Sequence, residues 1–176
     1  MEQSRFTEKE RKELLEIARA AIIGREIPLA KIRKKAGVFV SVYVDGELHG
    51  CIGNLQAGDV VELVIDNAQN AAFRDSRFSK LTNSEMGKMK ININVLSDPK
   101  EISYENNNDL IKKIKGKGVI LSFGYHKATF LPSVWDQLPE AEEFLGHLCM
   151  KAGLDMDEWK KGALKVQVYQ SEEWGE

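Results

Sequence analysis

From Met89 to Val95 apolar and polar residues alternate without a break. Met89, Ile91, Ile93 and Val95 share one side, and Lys90, Asn92 and Asn94 share the other. A period of two describes a strand with one buried and one wet face. Gly37-Val-Phe-Val-Ser-Val-Tyr-Val44 is β-branched and aromatic and predicts another strand. Asp45-Gly46 is a hairpin turn signal. The chain then returns as Glu47-Leu-His-Gly-Cys-Ile-Gly53, interrupted by its two glycines. Val119–Phe123 and Lys127–Leu131 flank Gly124-Tyr-His-Lys127 and predict a second hairpin, and a last strand runs from Leu164 to Tyr169.

Between the strands the period changes. Thr7 and Glu10 have capping-box spacing. The helix behind them carries Leu14, Leu15, Ala18 and Ile22 on one face and stops at Gly24. Asp59 and Glu62 repeat the capping spacing. They open a helix whose Val61, Val64, Ile65, Ala68, Ala71 and Ala72 recur at helical intervals. Its three alanines predict a close approach to the sheet beneath. Asn107–Ile114 predicts a short helix ended by Gly116 and Gly118. Pro139–Ala152 predicts another, with Phe144, Leu145, Leu148, Cys149 and Ala152 inward and Gly153 at its end. Hairpins dominate, so the expected class is α+β, a mostly antiparallel sheet with packed helices, in a single domain over residues 5–172.

Composition narrows the function classes. The 176 residues include 43% apolar and 30% charged side chains with a net charge of −2, a globular balance with no overall basic field. No apolar run approaches the roughly 20 residues that cross a bilayer, and Met1–Lys12 lacks the apolar core of a secretory signal. Two cysteines nearly a hundred positions apart predict reduced thiols and a cytoplasmic location. That count excludes a zinc finger or an all-cysteine cluster, and no metal site is expected; cofactors are left open. Lys31, Arg33, Lys34 and Lys35 form a short basic cluster that reads as solvated surface, with nucleic-acid binding as its alternative.

Cys51 is the foremost candidate for chemistry. On an extended strand His49 and Cys51 point to one face, and an imidazolium there would favour the thiolate. Gly50 and Gly53 remove side chains on either side, so a ligand or another backbone could come close. The competing reading is a buried structural cysteine in a bulged strand. Asp75 and Arg77, between Phe73 and Phe78, suit either an anion-holding fork or a salt bridge that locks the loop. Thr129 and Trp135 flank Pro132 beyond a strand; Trp135 reads as core and His126 as a solvated turn residue. His147 and Cys149, two apart on a helix, face different directions and form no pair.

These segments together resemble the AMMECR-one domain family, also called AmmeMemoRadiSam system protein A. The resemblance rests on Gly37-Val-Phe-Val-Ser, Leu48-His-Gly-Cys-Ile-Gly53, Ala71-Ala-Phe-Arg-Asp-Ser-Arg-Phe78, Val95-Leu-Ser97, Ala128-Thr-Phe-Leu-Pro132 and Val134-Trp135. It spans roughly residues 10 to 170 in order. The family usually has Arg where this chain has His49, which supplies a positive charge only when protonated. The resemblance implies a larger and a smaller lobe with a cleft between them. It also implies company with Memo-like and radical-SAM proteins. The expected function is an accessory or binding protein presenting the Gly-Cys-Ile-Gly surface, with Gly50, Gly53, Asp75, Arg77 and Thr129 as ligand contacts. The alternatives are an enzyme with Cys51 as nucleophile and His49 as base, or a nucleic-acid binder through residues 31–35.

Overall fold

The computed structural model describes residues 5–176, and the chain divides into two compact units. The first comprises the chain up to Leu96 together with Glu172–Glu176, and the second comprises Ser97–Ser171. The fold is α+β, with two four-stranded antiparallel sheets.

In the first unit helix α1 spans Glu8–Ile23, and its capping box is complete: Thr7 caps Glu10 and Glu10 caps Thr7. Gly24 ends it at φ 69°, a conformation a side chain resists. Strands β1 (Lys35–Val44) and β2 (Glu47–Asp59) form the expected hairpin, with Asp45 and Gly46 both at positive φ. Helix α2 (Val60–Phe73) is capped by Asp59, whose carboxylate accepts from the Val61 and Glu62 N–H groups. Its buried face is Val60, Val64, Asn67, Ala68, Ala71 and Ala72, so the expected Val61 and Ile65 sit at the margin. A one-turn helix α3 (Asn83–Met86) precedes β3 (Met89–Leu96). The strand order is β2–β1–β3–β8, with β8 at Ser171–Gly175. Val38, Val40, Val42, Ile91, Ile93 and Val95 point together into one core with α1 and α2. The opposite face carries Phe39, Ser41 and Tyr43 from β1 and Lys90, Asn92 and Asn94 from β3.

In the second unit β4 (Lys100–Ile102), β5 (Gly118–Phe123), β6 (His126–Phe130) and β7 (Lys165–Tyr169) are ordered β4–β7–β5–β6. Helices α4 (Asn107–Ile114) and α5 (Ala141–Lys151) supply Leu110, Ile114, Phe144 and Leu148 to its core. Trp135 is core as expected: its ring stacks on Phe144 at 3.9 Å, and its indole N–H donates to the Lys117 carbonyl at 2.8 Å. His126 is exposed, as expected, but it lies outside the turn. It opens β6, and its Nδ1 lies 2.9 Å from the Ala152 carbonyl.

Candidate functional site

Cys51 lies on β2, at the free edge of the first sheet. Its partner in β1 is Ser41, so Cys51 shares the face of Ser41 and Asn92, away from α1 and α2. The thiol is half-buried and unpaired.

The glycines that flank it serve the chain itself. Gly50 pairs with Val42 on the helix face, and a Cβ there would run into the Ala71 carbonyl of α2. Gly50 and the alanines of α2 thus let helix and strand backbones touch. Gly53 pairs with Phe39, and its missing side chain leaves the place where the Phe39 ring lies. The expectation that both glycines open a wall for a ligand is corrected: Ala71 and Phe39 occupy that room.

Asp75 and Arg77 close the strand edge. Cys51 N–H donates to Asp75 Oδ2 at 2.9 Å, and Arg77 Nη2 donates to the Cys51 carbonyl at 3.0 Å. Both backbone groups that Cys51 would leave unpaired at the edge of β2 are therefore satisfied, much as a neighbouring strand would do it. Asp75 also accepts from Arg77 Nε at 2.9 Å, from Nη2 at 2.7 Å and from the Arg77 N–H at 3.2 Å. The Asp75 side chain is 3% exposed and that of Arg77 61%. The Arg77 guanidinium, aided by the Cys51 N–H, holds the Asp75 carboxyl far below its ordinary range despite burial. Asp75 in turn raises the Arg77 pKa. The anion-holding fork is thus spent inside the protein: Nε and Nη2 are engaged, and Asp75 supplies the anion.

His49 takes no part in this. The pairing of β1 with β2 slips between Val42–Gly50 and Tyr43–Leu48, so His49 is the extra residue of a bulge. The bulge breaks the alternation that would place His49 beside Cys51. No hydrogen bond joins the two among the described residues, and His49 Nε2 is buried without a partner. Thr129 lies in the second unit, where its hydroxyl donates to the Val119 carbonyl at 2.9 Å and lies 2.9 Å from Tyr169 Oη. Of the basic cluster, Lys34 is drawn into an ion pair with Glu10 at 2.8 Å and Ile32 is buried, which splits the patch.

Sequence reasoning missed Ser41, Asn92, Asn94 and Glu173 as companions of Cys51. The alternation at residues 89–95 already places both asparagines on the polar face of β3. Nothing in the pattern marked β8, which brings Glu173 to them.

The fold and the site define a two-unit α+β protein with a thiol on a clamped edge strand. A profile of the AMMECR1 family matches residues 4–174, and the chain belongs to that family. It is 34% identical to protein MK0488 of Methanopyrus kandleri over 96% of this chain and 89% of that protein. A protein of Thermofilum pendens is 36% identical over 91% of this chain and 81% of its own length. The crystal structure of the uncharacterized protein PH0010 from Pyrococcus horikoshii superposes with a TM-score of 0.78 at 31% identity, covering 93% of this chain and 89% of that one. Among the described residues no helix is long and apolar enough to cross a membrane.

Proposed function

We propose that this chain is a binding protein, without catalytic chemistry of its own, that offers the sheet face bearing Ser41, Cys51, Asn92 and Asn94 to a small polar ligand or a protein partner. The observation that carries this reading is the clamp. Asp75 and Arg77 fix the Cys51 N–H and carbonyl, so its side chain is presented on a rigid support, and among the described residues no hydrogen bond joins His49 to the sulfur. A nucleophilic cysteine needs a base or a partner that lowers its pKa. The arrangement here spends its charged groups on architecture. A Memo-like or radical-SAM protein is the partner that the family resemblance brings forward.

The test is a fragment screen of small polar molecules against the ¹⁵N- and ¹³C-labelled protein. Shifts that cluster at Ser41, Cys51, Asn92 and Asn94 support the reading. Shifts confined to other residues, or none at these four with any fragment, overturn it.

A further inference from the structure

The register of the second sheet puts Lys127 of β6, Ser122 of β5 and Lys165 of β7 in one row across three strands. Leu121, one residue before Ser122, pairs with Ala128 and Val166 and belongs to the core. Side chains alternate along a strand, so the row of Ser122 lies on the opposite face. Both lysines are exposed there, and Ser122 is half-buried between them. Neighbouring strands stand about 4.8 Å apart, so the two lysines leave the sheet roughly 10 Å from each other with the serine midway. Their long, flexible stems can bring both ammonium groups over its hydroxyl.

These donors are free. Among the described residues Lys127, Lys165 and the Ser122 hydroxyl have no ion pair or hydrogen-bond partner, whereas Lys113, Lys151 and Lys161 of the same unit each reach a carboxylate or a carbonyl. Within the four strands the one acid on this face is Glu101 of β4. It pairs with Gln167, so it stands diagonal to Lys165, and it makes no ion pair with it. The other end of the face is closed from within. The Tyr169 ring covers Gly118, and its Oη lies 2.9 Å from the Thr129 hydroxyl. Beside the open end the chain turns through Gly124 and Tyr125, where Tyr125 is fully exposed and Phe123 partly so.

We infer that Lys127, Ser122 and Lys165 hold a phosphate group, borne by a soluble ester or by a lipid headgroup. Two like charges beside one hydroxyl repel each other, and an anion that accepts from all three relieves the repulsion. A phosphate monoester at neutral pH carries about −1.5 to −2 charges and three strong acceptor oxygens, which matches two ammonium groups and one hydroxyl. A carboxylate brings a single charge and leaves a donor over. The exposed aromatic tip suits the headgroup source, because aromatic rings settle at a membrane interface while lysines meet its anionic surface. This site lies in the second unit and stands or falls separately from the face around Cys51.

The full chain, ¹⁵N-labelled, is titrated at low salt with inorganic phosphate and, at matched ionic strength, with acetate. Saturable shifts are expected at Ser122, Lys127 and Lys165 with phosphate, and weaker binding of acetate. Lys127→Gln and Lys165→Gln should each weaken phosphate binding roughly three- to fivefold, as the loss of an exposed ion pair does. Flotation with phosphatidylcholine vesicles, with and without phosphatidic acid, separates the two sources. Binding that needs phosphatidic acid and weakens in Tyr125→Ala assigns a headgroup, and phosphate binding without flotation assigns a soluble ester. No saturable shift with phosphate, equal affinity for acetate, or unchanged affinity in both lysine variants overturns the inference.

Discussion

The backbone N–H of Cys51 donates to the buried carboxylate of Asp75 at 2.9 Å, and so ties the middle of an edge strand to the loop after α2. Arg77 completes the tie through the Cys51 carbonyl. The Phe73–Phe78 segment thus stands where another strand would otherwise add. Asp75→Ala leaves the Cys51 N–H and the Arg77 guanidinium without their acceptor. Its expected cost is about 3 kcal/mol in urea unfolding. Arg77→Ala, at a largely exposed side chain, should cost about 1 kcal/mol, apart from any penalty at the Asp75 it uncovers. Equal stability of Asp75→Ala and the parent chain would contradict the clamp.

The same pair sets a pH dependence. The Asp75 carboxyl in the folded chain sits far below its ordinary 3.8, chiefly through the Arg77 hydrogen bonds and then the Cys51 N–H. The unfolded chain therefore takes up this proton more readily than the folded one. The stabilisation from Asp75 is complete above about pH 4 and is lost as the pH falls from there toward the folded value. The stability gap between the parent chain and Asp75→Asn should be wide at neutral pH and shrink below about pH 4. Urea midpoints at a series of pH values measure it, and a gap that stays constant on acidification would refute the assignment.

Gly50 and Gly124 should respond very unequally to one added methyl group. At Gly50 a Cβ meets the Ala71 carbonyl, which belongs to a packed helix and cannot move aside. Gly50→Ala should cost more than about 3 kcal/mol, or leave no folded protein. Gly124 sits in the β5–β6 turn at φ 57° with open space around it, so Gly124→Ala should cost only about 1 kcal/mol of backbone strain. Circular dichroism with thermal melting ranks the two, and a Gly50→Ala protein as stable as its parent would remove the close-approach argument.

Thr7 caps α1 within a complete capping box. Thr7→Ala should lower stability by about 1 kcal/mol, while Thr82→Ala at the one-turn α3 should change little, because few contacts depend on so short a helix. Equal losses at both sites would show that α3 is more integral than its length suggests.

Much of the fold was legible because its signals are local. The alternation from Met89 to Val95, the Asp45-Gly46 turn, and the caps at Thr7 and Asp59 each fix an element without distant help. The alanines of α2 even announced the close contact that Gly50 makes. Strands β4 and β8 were not legible. They are short, and Ser171–Gly175 is polar, so only pairing with a distant partner makes it a strand. At the site the residues were legible and their roles were not. One bulge removes His49 from Cys51, and a bulge depends on the register between two strands. Likewise alternation predicts a wet polar side for β3, but Asn92 and Asn94 there bond Glu173 of β8, which joins the sheet edge from the other end of the chain. In sequence Asp75 and Arg77 suit either fork or lock, and only the position of β2 decides for the lock.

The most direct measurement of the central claim is the rate at which iodoacetamide alkylates Cys51 in the native protein, followed by mass spectrometry in the parent chain and in His49→Ala. A sulfur held on a clamped strand, with no hydrogen bond to His49, predicts that the two proteins react at rates within about twofold of each other at every pH from 6 to 9, while buried Cys149 stays unlabelled until the chain unfolds. A slowing of about tenfold or more in His49→Ala would mean that the imidazole activates the thiol, and the non-catalytic account would be wrong.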